Sequence, residues 1–204
     1  MQQDDDNTFK KRYYQTDLLY NQQNLQKRIN LINNFKYCDY EALVPTKIKV
    51  INNTLEYTQK KVYKQKPLFL SKKSFHSIVN ALEYFESIGF VHGDINRRNI
   101  IYTNNGFKII DYEPELIQNK KNITQLIITI PYVSKKEYES KILTSLSDKI
   151  AFCYFILRVL NKISSKQITG IKNTLNHFSI LGLTEDQIKK TSYRCLLDKF
   201  YDYL

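Results

Sequence analysis

The stretch from Ser71 to Asp111 limits the fold of this chain more than any other. Phe75, Ile78, Val79, Leu82 and Phe85 recur at helical spacing, which predicts an amphipathic helix from Ser71, a candidate N-cap, down to Ile88, with Gly89 as its stop. Phe90-Val91 leads from it into His92-Gly-Asp-Ile-Asn-Arg-Arg-Asn99. Ile100-Ile101-Tyr102, the turn residues Asn104-Asn105-Gly106 and the run Phe107–Ile110 follow, which predicts a hairpin ending on Asp111, 17 residues after Asp94. Helix, polar loop, hairpin and terminal carboxylate carry two acidic groups and an asparagine on the ends of rigid elements.

The flanking segments read more weakly. Residues 1–7 are polar and read as a disordered tail. Thr8–Tyr14 predicts a strand carrying Lys10 and Lys11, and Asp17–Phe35 a helix, with Leu18, Leu19, Leu25, Ile29 and Ile32 at mixed three-, four- and seven-residue spacing. Val44–Asn52 alternates Ile48 and Val50 with Lys47 and Lys49, as a half-buried strand does. A turn at Asn52-Asn53, a strand Thr54–Val62 and a polar connection Tyr63–Pro67 complete this half. Further on, Ser147-Asp148-Lys149 opens an apolar helix, Ile150–Leu160, with Asp148 as a candidate N-cap.

Composition removes several classes. The 204 residues suffice for one domain or two small lobes. Cys38, Cys153 and Cys195 are widely spaced, with no C-x-x-C pair, which argues against a disulfide framework or a structural zinc site and suits a reducing, cytoplasmic setting. Met1-Gln-Gln-Asp-Asp-Asp6 has no apolar core of a signal peptide, and the longest apolar run, Ile150–Leu157, is far too short to span a bilayer. The net charge of +11 leaves a nucleic-acid partner open on charge alone. The lysines are scattered and no RNA-binding signature accompanies them, so a solvated basic surface is the preferred reading.

The order strand, helix, strand, strand, connection, long helix and loop is similar to a protein kinase from its third strand onward, and His92–Asn99 fits the catalytic-loop pattern H-x-D-x-x-x-x-N. The chain therefore resembles the protein-kinase-like phosphotransferases over residues 8–204. The resemblance implies an α+β, two-lobed fold, with a reduced small lobe over 8–67, a helical lobe over 68–204 and a nucleotide between them. It implies ATP and Mg²⁺ as cofactors. Asp94 would orient the acceptor hydroxyl as catalytic base, Asn99 and Asp111 would hold metal, and Arg97 or Arg98 would steady the transferred phosphate. His92 would be structural, bonded to backbone near Asp111. Asp148 would anchor the backbone of the catalytic loop from below. Lys11 or Lys10 would pair with the phosphates, Lys11 being preferred because it leads directly into Tyr13-Tyr14.

The chain also departs from the family. Gly93 replaces the arginine of His-Arg-Asp, and Asn96 stands where serine/threonine kinases carry a lysine. Asp111-Tyr112-Glu113 replaces Asp-Phe-Gly, removing a flexible hinge. No glycine precedes Gly89, so there is no glycine-rich phosphate loop; residues 17–35 hold no glutamate to partner the lysine, and Lys27 and Arg28 sit where one is expected. Thr129–Val133 resembles the end of an activation segment, followed by Ser134-Lys135-Lys136 in place of Ala-Pro-Glu. Together these residues give an expected phosphoryl transfer from Mg²⁺-ATP to a Ser or Thr hydroxyl on a protein. A small-molecule or glycan kinase, of the lipopolysaccharide-sugar or aminoglycoside type, is one alternative, supported by His-Gly-Asp. A pseudokinase acting as a binding module is the other, supported by the missing glycine loop and glutamate.

Overall fold

A computed structural model of the chain describes residues 7–14, 22–52, 54–66, 70–112, 132–140, 143–161 and 181–202. It is a mixed α+β structure. Strands β1 (Thr8–Tyr14), β2 (Thr46–Ile51) and β3 (Thr54–Lys60) form an antiparallel sheet in the order β1-β3-β2. Helix α1 (Gln22–Asn34) connects β1 to β2 in the chain and lies against β2. The side-chain amide of Asn33 fixes that contact: it donates to Ile48 O at 3.0 Å and accepts from Ile48 N at 2.6 Å. In β3 Leu55, Tyr57 and Gln59 alternate inward, so the central strand turns one face to the core along its whole length.

The strands expected over 44–52 and 54–62 are shorter than their apolar patterns. β3 ends at Lys60, after which Lys61 N–H donates to Asn7 O at 2.9 Å and the chain leaves the sheet. The connection is then tied to the other half of the molecule, where Gln65 N–H donates to Tyr102 O at 2.8 Å. The helix expected from Ser71 starts as a 3₁₀ turn, Lys72–Phe75, and continues as α2 (His76–Ser87). Ser71 is not a capping side chain: its hydroxyl lies 3.3 Å from that of Ser74 and reaches no helix N–H.

Strands β4 (Ile100–Thr103) and β5 (Gly106–Ile109) form the expected hairpin. It is sewn to the segment before β2 by Ile109 N–H, which donates to Ala42 O at 2.8 Å. Helices α3 (Lys135–Ser140), α4 (Ser145–Val159), α5 (Glu185–Lys190) and α6 (Tyr193–Tyr201) complete the described elements. α4 begins before the predicted Ile150, and its N-cap is Thr144, whose hydroxyl accepts from Leu146 N–H at 3.2 Å. Asp148 is therefore not the cap but a first-turn residue with its carboxylate directed elsewhere. Every residue of α4 from Leu146 to Leu157 is buried, as befits a helix with no polar face. Tyr193, Leu196, Leu197 and Phe200 of α6 close over it and over α2.

The core joins the two halves through aromatic rings. Phe35, just past α1, meets Phe85, Phe90 and Tyr112 at 5.2, 5.1 and 5.2 Å between centroids. Burial of one such phenylalanine contributes roughly 2–3 kcal/mol, and an edge-to-face pair adds about 1 kcal/mol. Among the described residues no helix is long and apolar enough to cross a membrane. Residues 1–6, 17–21, Glu113, Thr129–Pro131 and the chain beyond Asp202 lie outside the described residues, so the expected tail, the start of the first helix and most of the Thr129–Val133 motif do too.

Candidate active site

Residues 91–99 run from α2 to β4 without regular structure, and Asp148 holds their first turn. Its carboxylate, 2% exposed, accepts from His92 N at 2.7 Å and Gly93 N at 2.8 Å. Such charge-assisted bonds are the strong ones, and a carboxylate in the first turn of α4 is further favoured by the helix dipole. Gly93 has φ +80, a left-handed conformation that glycine takes without strain. The His92 ring is fully buried and sits 2.9 Å from Ile110 O through Nε2, while Asp94 N lies 3.3 Å from Nδ1. Burial is the main cause that pulls the imidazole down to about 4. The ring is thus neutral, with Nε2–H donating to Ile110 and Nδ1 accepting from Asp94 N–H.

Asp94 is gripped by two amides. Asn96 Nδ2 donates to its Oδ1 at 2.6 Å and its backbone carbonyl at 3.1 Å; Asn99 Nδ2 donates to its Oδ2 at 2.7 Å and the same carbonyl at 3.0 Å. Burial raises the Asp94 carboxyl above the usual range, an effect opposed by these two amides and by Arg98, and reinforced by Asp111. With the Asn99 amino group committed to Asp94, its Oδ1 is the atom left to accept or to ligate. Arg97 and Arg98 are exposed in the turn between the two asparagines, and Arg98 N–H donates to Asn96 Oδ1 at 2.7 Å.

Asp111 stands at the end of the hairpin with φ +62, a left-handed backbone that costs a non-glycine residue about 1 kcal/mol. Its Oδ1 accepts from Lys11 Nζ at 3.0 Å, a contact across 100 residues of chain. Lys11 lies over the Tyr57 ring at 5.7 Å and the Phe9 ring at 5.4 Å. Lys10, the other lysine candidate, is exposed and belongs to the opposite face of β1 by strand alternation. Lys11 is therefore the lysine that reaches Asp111. The backbone of this segment is tied to the loop where Ile110 N–H donates to Asn99 O at 2.9 Å.

Tyr112 points into the core. Its hydroxyl donates to Ile109 O at 2.6 Å and accepts from Val44 N at 2.9 Å, while burial pushes the phenol's pKa well up. Its ring meets His92 edge-on at 5.8 Å. Arg28 of α1 closes the group from the other side: its guanidinium donates to Val91 O at 2.7 Å and Tyr112 O at 3.4 Å and lies 4.0 Å over the Phe90 ring. The position expected to hold an acid thus carries a cation that clamps backbone on both sides of the loop.

Glu137 is a second residue with no forewarning in the sequence. It is 4% exposed and accepts from Ser134 N at 2.9 Å, Thr144 N at 2.8 Å and the Thr144 hydroxyl at 2.6 Å. It stands one place after the expected Ala-Pro-Glu position, and it secures the entry into α4 through backbone groups. Tyr132, just upstream, stacks on Tyr154 at 4.9 Å; burial pushes its phenol up to about 12, and the charges of Asp94 and Arg158 act on it in opposite senses.

A slot of 270 Å³ lies between the sheet and the hairpin, lined by Phe9, Gln59, the connection Lys60–Tyr63, Ile101, Ile110 and Asp111. Two larger hollows, of 670 and 460 Å³, contain none of Lys11, Asp94, Asn99 or Asp111, so size does not mark the site here. No cluster of three or more His, Cys, Asp or Glu that could hold a metal occurs among the described residues. A divalent ion would have one carboxylate, Asp111, and the Asn99 amide oxygen, a set that suits Mg²⁺ when phosphates and water supply the remaining oxygens. That Asp111 already holds an ammonium ion accords with a cation-binding carboxylate. No protein-family model matches the chain, and no curated protein matches it.

Proposed function

We propose that the chain is an Mg²⁺-ATP-dependent phosphotransferase of the protein-kinase-like type, transferring the terminal phosphoryl group to a Ser or Thr hydroxyl of a protein. The observation that carries this reading is the 3.0 Å contact of Lys11 with Asp111. Neither residue is near the other in sequence, and the pair sets a cation for phosphate beside a carboxylate for metal that lines a mostly apolar slot. The sequence β1-α1-β2-β3-connection-α2-loop-hairpin and the sheet order β1-β3-β2 support a two-lobed arrangement, with 8–67 as the small lobe and 68–204 as the helical lobe.

In this reading Asp94, its carboxyl kept partly desolvated and its orientation fixed by Asn96 and Asn99, accepts the hydrogen bond of the acceptor hydroxyl and then its proton. Asp111 and the Asn99 Oδ1 would hold Mg²⁺, which when bound offsets the negative charge of the phosphates. Lys11 draws the phosphates toward Asp111, and the exposed Arg97 or Arg98 meets charge that develops on the transferred group. The test is incubation with γ-labelled ATP and Mg²⁺ beside Asp94→Asn and Asp111→Asn, following label on protein and release of phosphate. Both variants are expected to lose about 100-fold or more of either signal, and undiminished turnover in Asp94→Asn would overturn the assignment.

A further inference from the structure

Gln59 lines the 270 Å³ slot, yet it is only 3% exposed. Its amide is not free to turn. Thr46, its cross-strand partner on β2, lies 2.9 Å from Val44 O through its hydroxyl, and a carbonyl can only accept. The single hydroxyl proton is thereby committed, so toward Gln59 the Thr46 oxygen can only accept as well. The 2.9 Å contact between the two side chains is therefore made by the Gln59 amino group, and Oε1 is left as an acceptor at the slot wall.

The position of Gln59 on its strand matters equally. Asp111 also lines the slot, with Lys11 bonded to it. Lys11 pairs with Tyr57 across the sheet and Phe9 pairs with Gln59, two residues further on. That places Gln59 about 7 Å along the strand from the residue opposite Lys11. For a nucleotide with its phosphates by Lys11 and Asp111, the slot residues Gln59, Phe9, Ile101 and Ile110 are those that would meet its base.

We infer that Gln59 selects the nucleobase, its Oε1 accepting from the exocyclic amino group of adenine and opposing the carbonyl that guanine and hypoxanthine carry at the same place. A carboxamide reads the adenine edge in this sense in nucleic-acid recognition too. The inference rests on the nucleotide-binding reading above and adds the residue that enforces adenine in it. Thr46 is the orienting residue, because without its hydroxyl the amide can turn and present its amino group to a carbonyl.

Calorimetric titration of the full chain with ADP, GDP and IDP in Mg²⁺ buffer tests it. IDP carries the guanine-type carbonyl but not the 2-amino group, so it isolates the atom in question. ADP is expected to bind at least about tenfold more tightly than either. Thr46→Val, near-isosteric, should bring ADP and GDP to within about threefold by improving GDP, whereas Thr46→Ser should keep the preference. Gln59→Leu should lower ADP affinity to the GDP level. Equal affinity of the wild type for ADP and IDP would overturn the base assignment alone. An unchanged preference in a cooperatively unfolding Thr46→Val would overturn the role of the relay, and failure of all three nucleotides to bind would overturn the phosphotransferase reading together with it.

Discussion

His92 shows how one buried side chain sets a pH dependence for the whole fold. In the folded chain its pKa lies at about 4, against 6.5 ordinarily, mainly through burial. Between those values the unfolded chain binds a proton that the folded chain refuses. The stability due to the neutral ring is fully present above pH 6.5 and declines as the pH falls toward 4, by up to about 3 kcal/mol. Denaturant midpoints recorded from pH 7.5 to 4.5 should fall along this limb in the wild type and fall less steeply in His92→Gln, which keeps a donor for Ile110 O; identical slopes would show that other groups govern acid sensitivity. Most residue-scale features that could be read from sequence were local. His92, Asp94, Asn99 and Asp111 lie on one loop and one hairpin, so spacing alone brings them near each other, whereas Asp148, whose carboxylate meets the loop from 55 residues away, was offered only by the resemblance. Arg28, Glu137 and Gln59 could not be read this way, because each acts through a contact with backbone or with a distant side chain that one sequence leaves unspecified.

At the scale of elements, α1 is fastened at two points. Asn33 locks its C-terminal end to β2, and Arg28 ties its middle to Val91 and Tyr112. Replacement Arg28→Ala removes charge-assisted hydrogen bonds and a cation–π contact together, and should lower unfolding free energy by roughly 3 kcal/mol in urea titrations. Arg28→Lys should recover only part, since an ammonium lacks the planar fork that serves two carbonyls. A loss below about 0.5 kcal/mol in Arg28→Ala would show the clamp to be incidental. Element types were largely legible: β1, the β2–β3 pair, α2 and the β4–β5 hairpin follow their apolar periods. The ends of β1 were legible too, Thr8–Tyr14 in both readings, but those of most other elements were not. Capping at Thr144 and the 3₁₀ start of α2 depend on which hydroxyl meets which N–H, and the apolar run beginning at Ile150 hid a helix that starts at Ser145.

Across the whole molecule the sheet and the hairpin meet at Lys11 and Asp111. Each side chain keeps about a quarter of its surface exposed, so the ion pair itself contributes little to folding. Lys11→Met is expected to change the melting free energy by less than about 1 kcal/mol while weakening ADP binding by about tenfold or more. Calorimetry with and without ADP separates the two, and a variant that loses stability but not affinity would make Lys11 a structural residue. This long-range pairing was not legible: the sequence offered Lys11, ahead of Lys10, for phosphate and no partner for it, and only the pairing of β1 with β3 sets Lys11 on the face that meets Asp111.

The seating of Tyr112 has a consequence for small-molecule ligands. A flat heterocycle can enter the slot beside Phe9 and Ile101 without disturbing any hydrogen bond described there. A compound that reaches behind Asp111 must evict a phenol that serves Val44 N–H and Ile109 C=O and is ringed by Phe35, Phe85 and His92. Compounds that work by expelling Tyr112 are therefore poor leads for this chain, and slot-filling compounds are the better starting point.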